Sequence, residues 1–145
     1  MLEVKGLSRN YGETQALDGV SLAFAPGAIH AVLGENGSGK STLLTIAGGA
    51  NVPDEGSVTI MGEALGSADP LLARRLGLAV VYQDDSLVRE LTVAENLVLG
   101  ALDGPRSLAG ARSWAEGVLA PYDLGISPDT LIGNLSPSQR QFLEI

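Results

Sequence analysis

Residues 34–42 read GENGSGKST, and Gly34, Gly39, Lys40 and Ser41 keep the spacing G-x-x-x-x-G-K-S. Those residue types at that spacing suit one task, which is holding the phosphates of a nucleotide. Glycines let a backbone turn tightly and aim several N–H donors at one anion. A helix opening directly behind them adds its positive N-terminal end. In such a loop Lys40 reaches the β- and γ-phosphates, and the Ser41 hydroxyl takes Mg2+. The candidate binding residues are therefore Gly34, Glu35, Asn36, Gly37, Ser38, Gly39, Lys40, Ser41 and Thr42. A glycine-rich turn that merely has this spelling is the rival reading.

Such a loop needs a strand before it and a helix after it. AIHAVLG, residues 28–34, reads as a buried strand running into the turn. A helix is expected from about Lys40, with Leu43, Leu44, Ile46 and Ala47 as its apolar face and Gly48-Gly49 as its end. Upstream, LEVKGLS alternates apolar and polar and predicts a strand. VSLAFAPG predicts a second, stopped by Pro26-Gly27. Downstream, NVPDEG is a turn and SVTIMG another alternating strand. Asp69-Pro70 opens a short helix as N-cap and first residue. LAVVYQ predicts a buried strand, and LTVAENLVLGAL a helix with Thr92 near its start. Leu108, Ala111, Ala115, Val118 and Leu119 recur at helical spacing over 107–120, although Gly110 and Gly117 weaken that helix. PYDLGISPDTLIGN reads as irregular, and a last helix opens at Ser136. Strands, then strand–loop–helix, then mostly helices predict an α/β fold with a helical insertion.

Bulk properties exclude several classes. The chain has 145 residues, no cysteine and a formal net charge of −8. Disulfides and thiolate metal sites are therefore out. The absence of any basic block, with that charge, argues against nucleic acid as a partner. No apolar run has the length of a membrane span, and the N-terminus lacks a signal-peptide pattern.

With these motifs in this order, the chain resembles the ATP-binding cassette family, the motor subunits of ABC transporters, over residues 2–145. The resemblance implies a P-loop NTPase fold with an antiparallel β subdomain and a helical insertion, and ATP with Mg2+ as ligands. It implies a β subdomain and P-loop core over about 1–85, a helical subdomain over about 86–138, and a signature helix from 136. Tyr11, in RNYGETQALDGV, sits where the family stacks an aromatic ring on adenine. Gln83, in AVVYQDD, sits where the family has its Q-loop glutamine, beside Mg2+ and facing the membrane partner. A competing reading makes AVVYQDD a Walker B strand with Asp84 on the metal. Leu135, Ser136, Pro137, Ser138 and Gln139 lie where the family carries its signature, usually LSGGQ, which meets the γ-phosphate held by another cassette. Here Pro137 and Ser138 replace both glycines. Ser136-x-x-Gln139 can still form a capping box with Pro137 in the first helical position.

The text around VVYQDDSLVRELTVAENLVLG is similar to the first cassette of bacterial sugar importers of the pentose and galactose type. That implies a second cassette, in tandem or as a dimer, and a membrane permease as partners, at the cytoplasmic face of the membrane. The alternatives are a cassette for another solute, such as amino acids, and a non-transport ABC ATPase. The family's Walker B Asp-Glu and switch histidine follow the signature, and neither occurs here, so no catalytic residue is assigned and the chain alone is expected to bind rather than hydrolyse. A core sheet without its later strands is expected to expose apolar edges and to self-associate or order poorly. A third reading leaves the P-loop vestigial. His30, the sole histidine, reads as a core or edge residue, Trp114 as packing, and Asp54-Glu55 as a solvated turn.

Overall fold

The computed structural model describes residues 1–66, 68–81, 86–105 and 107–144. It divides into two units, Met1–Val80 and Val81–Ile145.

The first unit is built on a four-stranded antiparallel sheet. Its strands are β1 (Leu2–Tyr11), β2 (Thr14–Phe24), β3 (Glu55–Ile60) and β4 (Glu63–Ala64), in the order β2-β1-β3-β4. Both leading strands are longer than their alternation predicts. The reason is the hairpin between them, which pairs Tyr11 with Thr14 and Leu2 with Phe24. Gly12, at φ 59°, supplies the left-handed residue its two-residue turn requires. On its other edge β1 pairs Val4 with Val58 and Leu2 with Ile60. Alternation, with a register shift in β1 between Val4 and Leu7, then sends Val4, Leu7, Leu17, Val58 and Ile60 to one face, where they are buried with Leu43, Ile46 and Ala73.

Helix α1 (Lys40–Ala47) begins where the sequence predicts and buries Leu43, Ile46 and Ala47. Leu44 is 49% exposed, a correction to the expected four-residue face. The buried three follow i, i+3, i+4 spacing, and Leu44 lies about 100° round the helix from Leu43. Gly48 and Gly49 end the helix, as expected, with their N–H groups on Leu44 O and Ile46 O. In α2 (Pro70–Arg75), the Asp69 carboxylate accepts from Leu72 N at 2.8 Å, and Pro70 takes the first turn.

One expected buried strand does not form, and the described part of another belongs to none. Residues 28–34 and 78–81 belong to no strand; the rest of the second prediction, Tyr82 and Gln83, lies outside the described residues. Ile29 and Leu33 are 103% and 88% exposed. Apolar β-prone sequence becomes a strand only with a neighbour to take its backbone N–H and C=O groups, and no described strand lies beside these segments. His30 accordingly sits on the surface rather than in a core strand. Its ring meets Phe24 edge-on at 5.3 Å, and its Nε2 accepts from Ala25 N.

The second unit is helical: α3 (Val93–Gly100), α4 (Ala111–Leu119) and α5 (Pro137–Leu143), with 3-10 turns at 120–122 and 132–134. Thr92 and Glu95 form a full capping box on α3. The Thr92 backbone and hydroxyl hydrogen bonds hold the Glu95 carboxyl below its usual value. Helix α4 starts later than the predicted 107, because Gly110 at φ 92° serves as its N-cap. Gly110 therefore lies outside the helix, and only Gly117 stays within it. The stretch read as irregular is laced to the start of α3: Val93 N donates to Thr130 O, Ala94 N to Pro128 O and Ile132 N to Leu91 O. Asn96, buried, braces the same turn by accepting from Val88 N and donating to Val88 O. Val93, Leu119, Ile132 and Leu135 form one core of this unit. Ala94, Ala111 and Ala115 form another, against which Trp114 packs as expected.

Candidate functional site

The loop at 34–39 is shaped by close approaches as much as by φ angles. Gly37 and Gly39 both sit at φ 85°, where side chains are strained. A Cβ on Gly39 would also strike the Ala16 carbonyl oxygen and Leu17, so this glycine seats the loop directly on β2. A Cβ on Gly34 would strike Ser38 Oγ, across a turn closed by Ser38 N donating to Glu35 O at 3.2 Å. No side chain caps α1 and no acidic residue lies in its first turn. Its first N–H groups and positive end therefore face the loop unopposed, which favours an anion there.

Lys40 closes the ring from within. Its Nζ donates to Gly34 O at 2.8 Å, Glu35 O at 2.6 Å and Ser38 Oγ at 3.3 Å. The ammonium thus lies at the centre of the loop, held by neutral acceptors that an anion can replace. Ser41 is exposed beside it, and Thr42 is half-buried, its carbonyl accepting from Thr45 Oγ1. Asn36 and Glu35 lie on the exposed rim.

Tyr11 reaches the same end of the sheet through β2. It pairs with Thr14 at the hairpin tip, two residues before the Ala16 that carries Gly39. Tyr11 as a residue is 46% exposed. The Arg9 guanidinium carbon lies 5.0 Å from the ring centroid, and Asn51 Nδ2 donates to the Tyr11 hydroxyl at 3.5 Å. Arg9 in turn donates to Asp54 Oδ1 at 2.7 Å, while Asp54 Oδ2 accepts from Asn10 N at 2.7 Å and Asn10 Nδ2 at 3.2 Å. The Asn10 backbone bond, with the Asn10 amide and Arg9 behind it, holds the Asp54 carboxyl below its ordinary value. The Tyr11 side chain, then Asp54, hold the Arg9 guanidinium above its own. Asp54 is therefore bound as well as exposed, so its turn is solvated as read but also tied to β1. Arg9, Asn51 and Asp54 are neighbours of Tyr11 that the motif reading missed. One signal was present for Arg9: residues two apart on a strand share a face.

Gln83 lies outside the described residues, as do Asp84 and Asp85. In the second unit Leu135 is buried, and Ser136 caps α5 as its sequence predicts. Ser136 Oγ accepts from Gln139 N at 3.3 Å, and Gln139 Oε1 accepts from Ser136 N at 3.0 Å. With Pro137 lacking an N–H, the Ser138 N–H is the donor left at the mouth of this helix. Among the described residues no group of His, Cys, Asp and Glu could hold a metal ion, and no helix is long and apolar enough to cross a membrane.

Comparison with known proteins agrees with this architecture. The chain is 39% identical over 145 residues to a ribose import ATP-binding protein of Rhizobium meliloti, covering 100% of this chain and 29% of that protein. It is 40% identical over 148 residues to an arabinose import ATP-binding protein of Burkholderia ambifaria, covering 100% of this chain and 28% of that one. The chain thus spans less than a third of these relatives' length. Among solved structures, a nucleotide-free ATP-binding cassette from an ABC transporter superposes with a TM-score of 0.80 at 28% identity, over 99% of this chain and 62% of that one. A dimeric ATP-binding cassette in a post-hydrolysis state with ADP and Pi superposes with a TM-score of 0.70 at 26% identity, over 99% and 67%. The ABC transporter family itself matches residues 17–145. A phosphate-type loop seated on a β hairpin, ahead of a helical unit, is thus shared with ATPase cassettes of P-loop NTPase fold, and the chain belongs to the ABC transporter family.

Proposed function

We propose that this chain is the ATP-binding part of an ATPase subunit that powers uptake of a small solute, a sugar, and that it grips MgATP through residues 34–42. The observation that carries the proposal is Lys40, an ammonium held inside a glycine ring at the mouth of α1. When a nucleotide enters, Lys40 exchanges its carbonyl partners for the β- and γ-phosphate oxygens, and the loop N–H groups and the helix end take up the remaining charge. Tyr11 offers its ring to the adenine. Mg2+ arriving on phosphates keeps most of its water and needs only one or two protein oxygens. The Ser41 hydroxyl, exposed in the first turn of α1, fits as one, and Gln83 is proposed as the other. Bound there, the ion would neutralise charge building on the phosphates.

Leu135–Gln139 are proposed to meet the γ-phosphate of a nucleotide held by another cassette, with the Ser138 N–H as the donor. Hydrolysis and transport are proposed for a protein of the relatives' full length, with a second cassette and a membrane permease as partners. The likeness to ribose and arabinose import proteins supports a sugar over other solutes.

The test is calorimetric titration of the chain with MgATP, using Lys40→Ala as control. Binding that weakens by about 1.5–3 kcal/mol or more in the variant is the expected outcome, since charged hydrogen bonds are lost. Equal affinity in the two proteins would contradict the role of Lys40, and no binding by the unaltered chain would overturn the reading.

A further inference from the structure

Arg9 belongs to no motif, yet its guanidinium is held between the Tyr11 ring and Asp54. Its guanidinium carbon stands 5.0 Å from the Tyr11 ring centroid, and its NH1 donates to Asp54 Oδ1 at 2.7 Å. Asp54 is itself fixed by two bonds from Asn10 and by its own N–H on Ser8 O at 2.9 Å. Arg9 Nε is buried and, among the described residues, has no hydrogen-bond partner. NH1 is thus committed to Asp54, and Nε is buried away from any described acceptor. What remains for its planar cation is the ring beside it.

We propose that Arg9 is a positioning residue for the nucleotide base: it covers one face of Tyr11 and leaves the opposite face for a purine, giving an Arg9–Tyr11–adenine stack. The inference rests on the proposed nucleotide site. Two physical effects follow from it. A cation over one face withdraws π-electron density from the ring, and this lowers its repulsion with an electron-rich purine on the other face. The guanidinium also prevents the phenol from swinging toward Asp54, so the ring stands ready before the base arrives and less ordering is needed on binding. Asp54 acts one step further back, holding the arginine.

The experiment compares ATP with inorganic tripolyphosphate, which has the phosphates but no base, on the 145-residue chain. Arg9→Gln keeps a donor for Asp54 but removes the charge, and Arg9→Lys restores charge without the flat fork. The expected result is that Arg9→Gln weakens ATP by about two- to fivefold, the worth of an exposed cation–π contact, and leaves tripolyphosphate unchanged. Arg9→Lys should recover part of the loss. ATP bound equally by Arg9→Gln and the unaltered chain would overturn the inference while leaving the nucleotide site standing. Equal loss of both ligands would overturn it too, by making Arg9 a support of the loop. An unaltered chain that binds neither ligand would overturn the site and the inference together.

Discussion

At the scale of single residues, the side chains that matter do so through what holds them. Tyr11 could pack beneath its turn, but at the hairpin tip the residue is half open, its ring braced by Arg9 on one side and Asn51 at the hydroxyl. If that ring stacks on adenine, Tyr11→Ala weakens ATP and ADP alike by about 1–3 kcal/mol, the range for base–aromatic stacking. Titration of the variant with both nucleotides checks this, and loss of ATP alone would point away from stacking. Asp54 adds a pH dependence. The Asn10 backbone hydrogen bond first, then the Asn10 amide and Arg9, hold its folded carboxyl below the ordinary carboxylate value, so it stabilises the fold above that ordinary value and the contribution is lost as pH falls through the lower, folded value. Melting of the unaltered chain and of Asp54→Asn should therefore differ at neutral pH and converge in acid. A gap that is constant with pH would contradict the assignment. The motif residues were legible in the sequence because their spacing is local. Arg9, Asn51 and Asp54 were not, because the bonds Arg9–Asp54 and Asn51–Tyr11 join β1 to a turn 45 and 40 residues away.

Among the elements, those with a local cause came out as read. Asp69-Pro70 caps α2, and Ser136 with Gln139 caps α5, since a capping box involves only residues three apart. Thr92 belongs with them. Its hydroxyl accepts from Glu95 N at 3.2 Å while the Glu95 carboxylate accepts from Thr92 N at 2.8 Å. Thr92→Ala is expected to cost about 1 kcal/mol, the usual worth of such a cap. Trp114, the sole tryptophan, packs in this unit, so urea unfolding followed by its fluorescence reports the loss. An unchanged midpoint would show that the lacing of residues 128–133 onto the start of α3 holds the helix without its cap. Some boundaries were misread. The β1–β2 hairpin is longer than its alternation because pairing continues to the turn, and α4 starts later than its spacing because Gly110, at φ 92°, forms its N-cap.

For the whole molecule, each unit has its own core: the sheet with α1 and α2 in one, and the helices around Val93 and Ala115 in the other. The segment entering the nucleotide loop meets the first core only through the half-buried Val32. Ile29 and Leu33 lie open, with backbone groups no described strand receives. Apolar, unpaired backbone is a template for association. We therefore expect light scattering to show mass rising with concentration, and Ile29→Lys with Leu33→Lys to reduce it; a monomer at every concentration would sink the expectation. By itself, the sequence determined the phosphate-type loop, the caps of α2 and α5, the presence of the two leading strands and the family, because each depends on residues within a few positions or on patterns repeated along one element. Only the tertiary structure decided that residues 28–34 form no strand, that Lys40 is folded into its own loop, and that Arg9 and Asp54 stand behind Tyr11. Strand formation and ion pairing need a partner across space, and alternation or charge along a single chain does not say whether that partner is there.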